Sequence, residues 1–156
     1  MAGSAFADTP KVQSLDEVLR WLDQLDLAPR VASSSTWAMP AVFAHMAQSI
    51  EMSMDGYPQQ RSALFQSTVG SAAFAYFKFR GRMSHDLAEP IPGAPTLVQS
   101  GEWTPHAMRL RHAVQRFQAH TGSLQPHFAY GALDHGQYTA AHVMHIANHQ
   151  DEIVLA

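Results

Sequence analysis

Apolar residues recur along this chain at spacings of three and four, and no stretch alternates long enough to make a convincing strand. Ser14-Leu-Asp-Glu17 is a capping box. It opens a helix whose face, Leu15, Val18, Leu19, Leu22 and Leu25, runs to about Leu27. Ser33-Ser-Ser-Thr36 is a loop offering N-caps, and Pro40 falls in the early turn of a second helix. That helix runs to about Asp55 and stops at Gly56 with Pro58 beyond; its face holds Val42, His45, Met46, Ser49, Met52 and Ser53. A third helix is expected from about Gln60 to Arg80, stopped by Gly81. Its small middle, Val69-Gly-Ser-Ala-Ala73, admits a close neighbouring helix, and Phe74, Tyr76, Phe77 and Phe79 supply bulk.

Residues 82 to 103 lose the period and carry Glu89-Pro-Ile-Pro-Gly93-Ala-Pro95. So long an irregular piece either covers a site or is a stiff crossover between bundle ends. Thr104 is the expected cap of a fourth helix with Pro105 in its first turn, a face of Leu110, Val114 and Phe117, and an end at Gly122. Leu124 to Gly131 is irregular again, and Asp134 with Gln137 opens a last helix to about Ile153. The pattern predicts an all-α fold, an antiparallel bundle of four main helices with one extra. Residues 1–13 form a flexible N-terminus and 14–156 the helical domain.

Composition narrows the chemistry. The 156 residues are 46% hydrophobic and 15% charged, enough for a core and not a disordered chain. A formal charge of −3, with Arg80, Arg82, Arg109, Arg111 and Arg116 read as solvated helix faces, gives no reason to expect nucleic acid. No apolar run approaches the roughly 18 residues of a membrane span. Cysteine is absent, which excludes disulfides, thiolate zinc sites and cysteine nucleophiles. Ala5-x-Ala7 has the look of a signal-peptide cleavage site, but no apolar stretch precedes it. A cytoplasmic location is therefore expected, with a periplasmic one as the alternative.

Ten histidines are many for this length, and the last helix gathers three as His142-Val-Met-His145-Ile-Ala-Asn-His149. Their spacing puts all three on one stripe. The outer two lie about 10 Å apart along the axis, too far to share one ion without strain. A pair must be chosen: His145 with His149 is preferred, leaving His142 one turn back, and His142 with His145 is the alternative. His45, from the second helix, would complete a three-nitrogen site for a divalent ion, zinc or nickel fitting best, with a position left open. Ile146 follows His145, so the His-Glu-x-x-His general base is missing. Glu152 sits on the same stripe, either orienting an imidazole or merely exposed; Asp151 and Glu51 read as exposed. There is no nucleophile elbow, phosphate loop or dinucleotide fingerprint. Met46, Met52, Met108 and Met144 read as core filling, and Phe74, Tyr76 and Phe77 as packing.

His45 together with His145-x-x-x-His149 resembles the metal triad of the DinB/YfiT-like bundle superfamily. Within it, Phe43-Ala-His45-Met-Ala-Gln48-Ser-Ile-Glu51-Met-Ser-Met-Asp55-Gly56-Tyr-Pro58 resembles a bacterial family of unknown function. Pro90-Ile-Pro-Gly-Ala-Pro95, Pro126-His127-Phe-Ala-Tyr130-Gly131 and the His142–His149 ending fit the same family. The resemblance spans about residues 14 to 153. It implies a left-handed up-down-down-up four-helix bundle with a metal between helices. Some superfamily members are metal-dependent transferases acting with small thiol cofactors, and others have no known activity. His127 is either a loop histidine capping a helix end or a member of the site. The expected function is a metal-dependent enzyme, with His45, His145 and His149 holding a divalent ion that acts as a Lewis acid or activates a water or thiol. The alternative is a non-catalytic metal-binding or dimeric scaffold protein, its site closed by His142 or His127. The expected partner is a small-molecule substrate that the sequence does not name, with no nucleic acid and no membrane, and a homodimer as the assembly left open.

Overall fold

The computed structural model describes residues 10–28, 30–83 and 87–155. Helix α1, Leu15–Leu27, starts where Ser14 Oγ accepts from Glu17 N at 3.1 Å while Gln13 N donates to Glu17 Oε2 at 2.7 Å. It buries Leu15, Val18, Trp21, Leu22 and Leu25. Helix α2, Met39–Asp55, has Pro40 in its first turn and ends at Gly56, whose φ of 110° suits only glycine. It is buried almost all round, so it is the central helix rather than one with a single apolar face. That placement takes His45, Gln48, Ser49 and Ser53 into the interior.

The expected third helix is broken. Ser62 caps a single turn, α3, Ala63–Phe65; a π-helical stretch follows over Gln66–Gly70, then α4, Ser71–Arg80, which Gly81 ends at φ 69°. The small middle admits a turn of chain, not a helix: a Cβ on Gly70 would lie 1.8 Å from Ala129 O. Helix α5, Thr104–Ala119, is preceded by Trp103 rather than capped by Thr104, and stops at His120, before Gly122. Helix α6, His135–His149, begins with the expected capping box between Asp134 and Gln137.

The chain is mostly helical, and the sheet is where expectation and structure part. Helix α6 ends at His149 rather than Ile153, and a 3₁₀ turn, Gln150–Glu152, leads into β2, Ile153–Leu155. This strand pairs antiparallel with β1, Val31–Ser33, in the register Val31↔Leu155, Ala32↔Val154, Ser33↔Ile153. Three residues are too few to show an alternating pattern, and the two partners are far apart in sequence.

Helix α2 packs chiefly on α5 and also on α6, and α1 packs on α5 and α6. The main core lies among them, with Phe43, Met46, Ile50, Leu110, Phe117 and Ile146 sealed from solvent. A smaller cluster, Phe74, Met83, Ala141 and Met144, joins α4 to α6. Two residues expected as packing are exposed instead: Met108 at 58% and Tyr76 at 56%. Glu51 and several arginines do more than face water, since Arg109 pairs with Glu51 at 2.8 Å and Arg116 with Asp55 at 2.6 Å, linking α5 to α2. Val12 N donates to Gln150 Oε1 at 2.9 Å and Lys11 pairs with Asp151, so the chain ahead of α1 is tied to the 3₁₀ turn. The Ala5-x-Ala7 stretch lies outside the described residues. No helix among the described residues is long and apolar enough to cross a membrane.

Candidate metal centre

Three imidazoles meet between α2 and α6. His45 projects from the middle of α2; His145 and His149 project from successive turns at the end of α6. All three are buried. His145 Nε2 lies 3.1 Å from His45 Nε2 and 3.1 Å from His149 Nε2, and the ligating atoms of all three fall within 4.8 Å of one another. The His45 ring meets both others edge-on with centroids 4.9 Å away, and Trp37 also packs edge-on against it at 5.1 Å.

Proton arithmetic shows what this cluster suits. His149 Nδ1 faces the Glu152 carboxylate, so the hydrogen of that imidazole sits on Nδ1 and its Nε2 presents a lone pair. A hydrogen on His145 Nε2 can point at only one neighbour at a time. A cation between the three Nε2 atoms would accept a lone pair from each imidazole at once. Nitrogens bound to one ion at about 2.0–2.1 Å in a tetrahedral arrangement lie roughly 3.3 Å apart, close to the two 3.1 Å separations that His145 Nε2 makes with His45 and His149. The three buried histidines are near enough to bind one metal ion, and the donor set fits it.

Glu152 is no exposed terminal carboxylate. It is 1% exposed, and its Oε2 has no protein partner among the described residues, so the contact with His149 is what holds it. The 3₁₀ turn and the β1–β2 pairing fold it back on the helix end. The spacing of three between His149 and Glu152 was the sequence signal for this contact.

His142 and His127 stand apart from the triad. His142 Nε2 bonds Ser53 Oγ at 3.0 Å, and the ring lies against Tyr138 at 5.3 Å and edge-on to Phe117 at 4.9 Å. Ser53 was legible as a member of the α2 face, but nothing in the sequence marked it as a histidine partner. His127 belongs to the tight turn it closes with Gly131: His127 N donates to Gly131 O at 2.8 Å, and Gly131 N donates back at 3.0 Å. Its Nδ1 accepts from Ala129 N and Tyr130 N, both at 3.1 Å, and its ring stacks on Tyr130 with centroids 4.2 Å apart. Burial pushes the pKa of each of these two histidines down to about 3. Neither carries charge near neutral pH.

Beside the triad is a cavity of about 210 Å³ that reaches His45, His145, His142 and His127. Met83, Glu89, Pro90 and Ile91 form part of its wall, so the long irregular segment does cover the histidine site; residues 84–86 lie outside the described residues. Gln48 Nε2 donates to Pro95 O at 3.3 Å and ties the segment to α2.

The family whose sequence profile matches this chain over residues 9–155 is described as "Protein of unknown function (DUF1569)". The chain belongs to the DUF1569 family. No curated protein and no solved structure shows significant similarity to it. The DUF1569 match takes in His45, His145, His149 and Glu152, so the whole cluster lies inside the family's own span.

Proposed function

We propose that this DUF1569 protein is a metal-dependent enzyme in which His45, His145 and His149 hold one divalent ion, zinc or nickel, facing the cavity. The observation that carries the reading is the convergence of three buried Nε2 atoms at 3.1 Å contacts, with Glu152 fixing the tautomer of one of them. An all-nitrogen donor set suits late divalent ions. Bound there, such an ion supplies Lewis-acid chemistry, polarising a coordinated donor group. The protein's own part is to orient His149 through Glu152, hold His45 against Trp37, and keep bulk water out with the segment around Ile91. Because the cavity borders His45 and His145, a ligand has a route to that site, which favours chemistry over a purely structural ion.

The resemblance to the DinB/YfiT-like superfamily suggests a thiol-dependent transferase as the reaction class and a left-handed up-down-down-up arrangement for α1, α2, α5 and α6. The packing of α2 on α5 and α6, and of α1 on the same two helices, supports that arrangement. A second reading, a metal-bearing dimeric scaffold, draws support from Leu64, Val69 and Phe79, exposed at 73%, 58% and 90% along α3–α4. Metal analysis of protein purified without a histidine tag tests the first reading, with titration of the chelator-stripped form. One divalent ion per chain is expected. A stripped protein that takes up neither zinc nor nickel rejects it.

A further inference from the structure

The cavity holds two histidines whose hydrogens are fixed by the protein, and neither belongs to the triad. Two backbone N–H groups aim at His127 Nδ1, so that atom is the acceptor and the ring's hydrogen sits on Nε2. Among the described residues no protein acceptor takes that hydrogen, and the ring lines the cavity. His142 is fixed the other way round with respect to the cavity. Ser53 Oγ donates its own hydrogen to Ile50 O at 2.5 Å, so it must accept from His142, which places the imidazole hydrogen on Nε2 and leaves Nδ1 as a lone pair. One wall of the cavity thus offers a donor, from the 127–131 turn. Another, on α6, offers an acceptor.

The remaining wall is largely apolar: Phe65, Met83, Ile91 and Phe128. Its charged members, Arg61 and Glu89, are of opposite sign and balance, and Arg61 lies over the Phe65 ring at 5.3 Å. The π-helical stretch locks the donor wall in place. Gly70 lets Ala129 O approach, and Gln66 Nε2 donates to Phe128 O at 3.1 Å. A π-bulge is a frequent companion of functional sites.

We propose that this cavity recognises a small uncharged amide with an apolar body, its carbonyl accepting from His127 Nε2–H and its N–H donating to His142 Nδ1. The donor and the acceptor come from different walls, so the ligand must carry its complementary groups on separate atoms, as an amide does. A volume of about 210 Å³ limits it to a single ring or a short chain. The inference does not rest on the triad holding metal, and its test is made without metal.

The test titrates chelator-treated protein, followed by ¹H–¹⁵N spectra, with three probes of one shape: benzamide, benzoate and toluene. Benzamide is expected to bind about tenfold more tightly than toluene, the size of one or two net hydrogen bonds, with benzoate weakest. His127→Phe and His142→Phe should each remove most of the benzamide advantage and leave toluene binding in place. In the unaltered protein, long-range histidine ¹⁵N spectra should show both residues as Nε2–H tautomers, which keeps the proposal testable if a variant fails to fold. Benzoate binding tightest, equal affinity for all three, no binding of any, or an Nδ1–H tautomer at either residue overturns it.

Discussion

Glu152, three residues downstream, meets Nδ1 of His149 at the point where α6 stops. A spacing of three already puts the two side chains on one helix face. The 3₁₀ turn and the pairing of Ile153–Leu155 with Val31–Ser33 fold Glu152 into the core, where it is 1% exposed. A buried carboxylate with one partner is costly, so that partner is worth locating. Here it sets which nitrogen of His149 faces His45 and His145.

Glu152→Gln should therefore weaken metal binding without abolishing it. An amide can still accept from Nδ1–H, but it supplies no charge to raise the ligand's basicity. The expected loss is about 10- to 100-fold in affinity, as for other groups that orient metal-bound histidines. Competition with a chromophoric chelator measures it. Affinity equal to that of the unaltered protein would mean that the contact is structural only.

Much of this site was legible in the sequence because helices write their faces at a fixed period. Spacing alone put His142, His145 and His149 on one stripe, and the distance between the outer two forced a choice of pair. What decided the choice was only half visible: the spacing of three pointed Glu152 at His149, but nothing in the sequence marked Ser53 as the partner of His142. The strands were missed because a three-residue pair between distant segments has no local signature. The π-helical stretch was missed because its cause is tertiary, the approach of the Ala129 carbonyl to Gly70. Met108 and Tyr76 show the limit of composition, since apolar type does not say which side of a helix finds a partner.

Gly70→Ala should destabilise the protein by about 1–3 kcal/mol, the range for forcing a methyl group into packed space. The atom in the way is backbone, Ala129 O at 1.8 Å, so the 127–131 turn must move. Gly122→Ala is the control, because an added Cβ there meets only the His120 side chain at 3.4 Å. Urea unfolding of both variants checks the difference. Equal midpoints would show that the turn yields freely.

Stability should fall in mild acid. His127 and His142 have folded pKa values near 3, below the ordinary value of 6.5, because burial opposes their charge. Between those limits the unfolded chain binds protons that the folded one does not, so stability rises with pH and is lost as pH falls below about 6.5. The loss is on the order of 3 kcal/mol for each histidine by pH 4. Urea midpoints measured from pH 7 to pH 4 should trace it, with a shallower slope for His142→Asn. A slope unchanged in that variant would remove His142 as a source.

The triad itself can be separated from its neighbour by single substitutions. His45→Ala, His145→Ala and His149→Ala each delete one of three donors converging within 4.8 Å and should weaken zinc or nickel binding by well over the roughly 100-fold expected of an orienting group. His142→Ala removes a ring held by Ser53, outside the cluster, and should change affinity little while lowering stability. The ligands bind as neutral imidazoles, so protons compete and occupancy should fall as the solution is acidified. Metal titration of the four variants measures each of these effects. If His142→Ala abolished binding while His149→Ala left it intact, the ion would sit one turn earlier on α6. If no single change mattered, the cluster would be packing and the proposed enzyme would lose its metal.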